Sequence, residues 1–256
     1  MNIFATQSVK NAIPNTITII SLICSCMAII LTFEGELAIA AYLLLISCAC
    51  DFFDGFTARI LKVKNPLGGQ LDSLIDMVAF GVAPGMLMYV FISHLQHTNP
   101  SDLIANNPWL IGITFLIPIL SAFRLAKFNI DTRQTTSFIG LAVPAHASFY
   151  IFAVLVYLFP DLPHLVDTKP IIQPILSNPV IMLAFCAVLS FMQIAEVPMF
   201  SLKVKNLRWS ENQTPLTFLF ILIVLVVLFN IAAFPIIILL YVVWSIVAMY
   251  LNKSKA

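Results

Sequence analysis

Four aspartates stand in two close pairs, Asp51 with Asp54 and Asp72 with Asp76, each pair at the end of a long apolar run. Helical residues three or four apart project from one face, so each pair presents its carboxylates together. The stretch between the pairs permits an antiparallel hairpin that brings all of them to similar depth. Carboxylates gathered in this way do not stay ionised together without a cation. Oxygen-only ligands favour hard divalent ions such as Mg²⁺ or Mn²⁺ over zinc, and such ions also take phosphate oxygens. Two other readings compete: intramembrane acids that pair with bases across helices, and acids that line a proton or ion path. Arg59 could neutralise only one of the acids. Gly55, Ala58 and Gly68 are small where a bulky side chain would keep a pyrophosphate away from the helices. Arg59 suits phosphate oxygens, and serves equally well as a topology anchor at a helix end.

The elements that must position these residues follow from hydropathy. Of 256 residues, 61% are hydrophobic and 10% charged, and the mean hydropathy is +1.00. That is more apolar surface than a soluble domain of this length buries, which points to an all-α, polytopic membrane protein. A bilayer core takes about 20 apolar helical residues to cross. About eight candidate spans are expected, near 13–33, 37–61, 69–93, 109–128, 141–159, 174–196, 215–231 and 234–252. Turn formers such as Glu34-Gly35-Glu36, Lys64-Asn65-Pro66, Asn99-Pro100 and Asn178-Pro179 punctuate them. No soluble domain or internal repeat is evident.

Lys and Arg collect in cytoplasmic loops. In an eight-span arrangement twelve of the thirteen basic residues fall on one side, Lys169 alone lying opposite. Both termini and the aspartates are therefore expected on the cytoplasmic side of a cell (inner) membrane. The net charge of +1 suggests no nucleic-acid partner. Cys24, Cys26, Cys48, Cys50 and Cys186 lie inside apolar runs and read as buried small hydrophobes rather than disulfides or metal ligands. Lys10 precedes a long apolar run with no small-residue cleavage site, so the first span is expected to stay in place.

The motif Asp51-x2-Asp54-Gly55-x2-Ala58-Arg59-x8-Gly68-x3-Asp72-x3-Asp76 resembles the signature of the CDP-alcohol phosphatidyltransferases, without a mismatch at any fixed position. The resemblance implies a six-helix core, taken as residues 13–203, after a cytoplasmic segment 1–12 and before two added helices in 204–256. It implies that Asp51, Asp54, Asp72 and Asp76 hold two Mg²⁺ or Mn²⁺ ions, with Asp76 also the general base. It assigns Gly55 and Arg59 to the CDP moiety, and we group Ala58, Asn65 and Gly68 with them. Asn15 and Thr18 resemble the family's nucleotide-contacting Asn-x-x-Thr, although the first turn of a helix explains them almost as well. A homodimer is also implied.

Beyond the signature, Leu71–Pro84, Phe123–Asn129, Phe138–Leu141 with Pro144-Ala145, and Pro198–Lys203 resemble the phosphatidylserine synthase branch of the family. Lys127 replaces an expected Arg, and His146 stands where a small residue is usual. The branch implies transfer of a phosphatidyl group from CDP-diacylglycerol to L-serine, with release of CMP. Serine is a zwitterion, so its site should offer a cation to the carboxylate and acceptors to the ammonium. Arg124, Lys127 and Asn129 are the candidates, with Glu196 a possible ammonium partner; positive-inside anchoring accounts for the two bases equally well. The alternatives are a sibling transferase that uses glycerol 3-phosphate, inositol or another alcohol, and an ion-coupled transporter.

Overall fold

The computed structural model describes residues 3–62, 66–131, 138–162, 165–200 and 213–253. Apolar runs with few breakers become helices because, in lipid, the backbone must satisfy its own hydrogen bonds. In order these are α1 (Ile3–Phe33), α2 (Leu37–Ile60), α3 (Pro66–Asp76), α4 (Ala83–Thr98), α5 (Asp102–Asn106), α6 (Leu116–Ile130), α7 (Val143–Leu158), α8 (Lys169–Leu176), α9 (Pro179–Ile194), α10 (Gln213–Phe229) and α11 (Ala233–Lys253). The described strands are two residues each, β1 (Phe138–Ile139) and β2 (Pro198–Met199), paired antiparallel with Phe138 opposite Met199. The fold is all-α and polytopic, as the hydropathy predicts.

Five described helices are long and apolar enough to cross a membrane, or six if the α8–α9 pair counts as one span. The expectation of about eight also counted Val143–Leu158, which is a shorter apolar helix, and took 215–252 as two spans. By length and composition Pro215–Leu251 is a single apolar run, yet the chain reverses within it. The Phe218 and Tyr241 rings stand 5.8 Å apart, whereas a straight helix would separate them by about 35 Å. The reversal is the 3₁₀ turn Asn230–Ala232, where Asn230 takes a φ of +50°.

Two expected boundaries move, both because of proline and its neighbours. The span placed at 174–196 is two helices bent by 78°. Asn178 caps α9, its side chain accepting from the Val180 and Ile181 amides at 3.0 and 3.1 Å, with Pro179 as the first helical residue. The span placed at 109–128 begins as a 3₁₀ helix, Pro108–Phe115, before α6. Pro118 lacks an amide hydrogen and its ring disfavours a regular α-turn behind it.

The centre of the bundle is the Leu67–Thr98 span, 61% buried against 33% or less for the other candidate spans. Phe80, Leu87, Met88, Phe91, Ile92 and Leu95 are its fully enclosed side chains, and Phe149, Tyr150 and Val154 of α7 meet them in the same core. α1 and α2 are joined inside the hydrocarbon by hydroxyls, Ser47 Oγ lying 2.7 Å from Ser21 Oγ and 2.8 Å from Ser25 Oγ. Such small polar residues let helix backbones approach closely.

Gly35 ends α1 with a φ of +85°, in a turn closed by Glu36 N to Leu31 O at 2.9 Å and Gly35 N to Thr32 O at 3.2 Å. Gly140, also left-handed, has no such freedom around it, because an added Cβ would lie 2.3 Å from the Gln193 carbonyl oxygen. Gly35→Ala should cost only the left-handed penalty, about 1 kcal/mol. Gly140→Ala adds a backbone clash and should cost on the order of 3 kcal/mol. Thermal unfolding of the detergent-solubilised variants checks the order.

Candidate active site

α2 ends and α3 begins at the same end of the bundle, and α1 packs against both. Asp51, Asp72 and Asp76 converge there, each offering a carboxylate oxygen within 4.8 Å of the others. Asp54, the fourth of the set, sits beside this triad and interacts electrostatically with each of its members. It is 5% exposed, and its Oδ2 is buried with no hydrogen-bond partner. An orphaned carboxylate oxygen inside a bundle is costly unless something electropositive meets it. Hard oxygen donors and one uncommitted buried oxygen together fit a divalent cation.

The Thr18 side chain of α1 lies beside Asp54, its hydroxyl donating to the Pro14 carbonyl at 2.9 Å, so Asn15 and Thr18 come to the same end as the acids. One turn beyond Asp54, Arg59 Nε donates to the Gly55 carbonyl at 2.9 Å and the guanidinium remains exposed. A Cβ built on Gly55 would first meet that guanidinium, at 4.0 Å, which leaves the surface between Asp54 and Arg59 open. Ala58 of α2 and Gly68 of α3 are half-buried. Asn65 lies outside the described residues.

On the other side of α3 is a cavity of about 370 Å³ whose walls include Asp72, Ser73, Asp76, Arg124, Asn129 and Pro144. Arg124 is 4% exposed, and its guanidinium carbon lies 5.4 Å from the centre of the Phe128 ring. Ser73 and Asn129 bond to each other across the cavity, Asn129 Nδ2 donating to Ser73 Oγ at 3.2 Å. Lys127 is not part of the lining. Its ammonium bonds instead to Glu196 Oε1 at 3.3 Å, so the sequence-derived cation for a carboxylate and the sequence-derived partner for an ammonium hold one another.

Sequence reasoning missed three features. Ser73 falls between Asp72 and Asp76 with no motif of its own; only its position three residues before Asp76 placed it on the acidic face. Cys48, one turn before Asp51, interacts electrostatically with Asp51 and Asp76 and bonds to Ser148 of α7. Directly after Asp76, residues Met77–Val82 form a π-helix, a local widening that often marks a functional segment. Gly81 within it faces Ser121, where an added Cβ would stand 3.2 Å from the serine Cβ.

Helices crossing a bilayer and an acid cluster shared by two adjacent helix ends define a membrane protein with carboxylates placed to fit a divalent cation. A profile of the CDP-alcohol phosphatidyltransferases matches residues 11–192, and the chain belongs to that family. α10 and α11 lie beyond the match. Over 146 residues, 34% are identical to a CDP-diacylglycerol–serine O-phosphatidyltransferase of Helicobacter pylori, which is 56% of either chain. The Bacillus subtilis protein of that name is 37% identical over 136 residues, covering 52% of this chain and 70% of the relative. An archaetidylserine synthase of Methanothermobacter thermautotrophicus is 30% identical over 146 residues, 55% and 58% of the two chains. The matched part thus spans little more than half the length of the Helicobacter and Methanothermobacter proteins.

Replacing Asp51, Asp72 or Asp76 by Asn removes one charged ligand and should weaken Mn²⁺ binding on the order of tenfold or more. Titration of the purified protein, read by the electron paramagnetic resonance of free Mn²⁺, measures this. Asp161→Asn, whose carboxylate instead bonds Lys169 at 2.6 Å, should leave Mn²⁺ binding unchanged.

Proposed function

We propose that this chain is a CDP-diacylglycerol–serine O-phosphatidyltransferase, an integral membrane enzyme that makes phosphatidylserine and CMP. The observation that carries the reading is the cavity bounded on one side by Asp72 and Asp76 and on the other by Arg124 and Asn129. It offers acids for a proton and a cation for a carboxylate within one enclosure. The Helicobacter and Bacillus relatives are named for the same reaction.

In this reading Asp51, Asp54, Asp72 and Asp76 hold divalent ions, two of Mg²⁺ or Mn²⁺. When bound, such ions spread the charge of the pyrophosphate and make CMP a better leaving group. Gly55, Ala58 and Gly68 leave room for the pyrophosphate, Arg59 bonds its oxygens, and Asn15 and Thr18 serve the cytidine end, with which the sequence also groups Asn65. Arg124 takes the serine carboxylate, since Lys127 is committed to Glu196, and the Ser73–Asn129 pair supplies oxygen acceptors for the ammonium. Asp76 removes the proton of the serine hydroxyl. The hydroxyl oxygen bonds the phosphorus that carries the diacylglycerol, the bond from that phosphorus to CMP breaks, and CMP leaves with the electron pair. No covalent bond to the protein forms.

The basic residues favour a site facing the cytoplasm, in the cell (inner) membrane, with both termini on that side. Residues 13–203 then form the transferase core and 204–256 an added part, and the enzyme works as a homodimer.

Purified protein in mixed micelles, given radiolabelled CDP-diacylglycerol and a panel of alcohols, should yield labelled phosphatidylserine and CMP with serine and Mg²⁺ or Mn²⁺. No CMP with serine and either ion overturns the reading. Product with glycerol 3-phosphate or inositol instead identifies a sibling transferase. Asp76→Asn should lower turnover about 10²- to 10⁴-fold, the range of a general base, while CDP-diacylglycerol still binds. Turnover near the wild-type level in that variant would exclude Asp76 as the base.

A further inference from the structure

α6, α7 and α9 meet along a seam of connected polar side chains. Ser121, His146, Tyr150, Ser190 and Gln193 are all 0% exposed. Within a bilayer such groups persist where each finds a partner, and here the bonds run in one direction. Ser121 Oγ donates to Gln193 Oε1 at 3.2 Å, and Gln193 Nε2 donates to His146 Nδ1 at 3.1 Å. With Gln193 on Nδ1 the ring proton falls on Nε2, which lies 2.9 Å from Tyr150 Oη and 3.4 Å from Gln193 Nε2. Tyr150 in turn donates to the Phe185 carbonyl at 3.4 Å, and Ser190 Oγ lies 3.2 Å from the same ring nitrogen. Both nitrogens of the imidazole are engaged, so its orientation and tautomer are set by its neighbours.

The place of this set matters more than its satisfaction. His146 lies two and three residues beyond Pro144 and Val143, which line the cavity beside Asp72 and Asp76. Ser121 lies three residues before Arg124, on the opposite wall. A single chain of hydrogen bonds therefore ties together two walls that face the acids. The third wall touches it as well, because the π-helix that follows Asp76 rests on Ser121 through Gly81. Among the described residues, none of these hydrogen bonds reaches α2, which carries Asp51, Asp54, Gly55 and Arg59.

We propose that His146 is a positioning residue for the acceptor alcohol. By joining α6, α7 and α9 it fixes the separation between Arg124 and Asn129 on one wall and the Ala142–Pro144 lip on the other. The inference rests on the reading of this cavity as the acceptor's site. His146 touches no substrate; it acts through the walls. Walls that drift apart lengthen and weaken the polar contacts holding the acceptor in both its ground and transition states, so loosening this seam should be felt in binding of the acceptor and not of the donor lipid.

The test uses the full chain in mixed micelles, with KM for serine, KM for CDP-diacylglycerol, kcat and the melting temperature measured for each variant. His146→Leu should raise KM for serine about tenfold, the equivalent of one weakened hydrogen bond to the acceptor. KM for CDP-diacylglycerol, and kcat at saturating serine, should stay within about twofold. His146→Gln, which restores a donor and an acceptor, should recover most of the loss. A folded His146→Leu protein with an unchanged KM for serine overturns the proposal, and so does an equal loss in all three parameters. Should His146→Leu fail to fold, Gln193→Leu breaks the link to Ser121 while keeping the imidazole, and the same pattern is expected. Failure of both to fold overturns the proposal, because the set would then serve the fold alone. Asn129→Ala tests the underlying reading separately. An unchanged KM for serine in that variant removes the cavity as the acceptor's site, whereas a raised one beside an unchanged His146→Leu removes only the role of His146.

Discussion

Mutual repulsion among carboxylates is the constraint around which this bundle is organised. Two ionised groups 4.8 Å apart, the spacing that bounds Asp51, Asp72 and Asp76, repel by about 3.5 kcal/mol at an effective dielectric of about 20. Three such pairs would drive the ends of α2 and α3 apart unless something holds the helices and something positive enters between them. The protein supplies the first requirement away from the site, through the serine hydroxyls that bind α1 to α2 and the enclosed side chains of α4. The second is left open in the form of the unpartnered Asp54 oxygen. Stability is invested in the middle of the membrane so that an unfavourable cluster can stand at its edge.

Much of this was legible in the sequence because it is periodic. Carboxylates three and four residues apart must share a helix face, and apolar runs of about 20 residues must cross lipid. What stayed hidden depends on geometry between elements. Nothing in the spacing of Asp51, Asp54, Asp72 and Asp76 separates a tight triad from its neighbour. The π-helix at Met77–Val82 leaves no mark in hydropathy, since it alters which way residues face and not which residues occur. Lys127 and Glu196 are 69 residues apart and meet only because α6 packs on α9. Composition also failed at the α8–α9 bend of 78°, where Asn178 and Pro179 were visible as turn formers but read as lying inside one span.

The two sides of α3 are built differently. Toward α2 the surface is open, with Gly55 and the exposed Arg59 guanidinium, the side on which the proposed reaction places the lipid donor. Toward α6 and α7 it is a cavity with a buried arginine and a hydrogen-bonded rim, the side on which the proposed reaction places the small polar acceptor. A single short helix that faces both carries Asp72 and Asp76. For the proposed reaction, that places the lipid donor and the water-soluble acceptor on opposite sides of one pair of carboxylates.

The final helical hairpin has a consequence for how the molecule comes into being. Tyr241 donates to the Phe200 carbonyl at 2.9 Å, just beyond the strand that pairs with β1, while every acid of the cluster lies before residue 77. Chains fold from the amino end as they emerge from the ribosome. The acidic half is therefore complete in the bilayer while the segment that anchors β2 has yet to be made. The newborn protein therefore carries its acid cluster and the cavity beside it, whose lining ends at Pro144, before β2 gains the anchor that the last hairpin supplies.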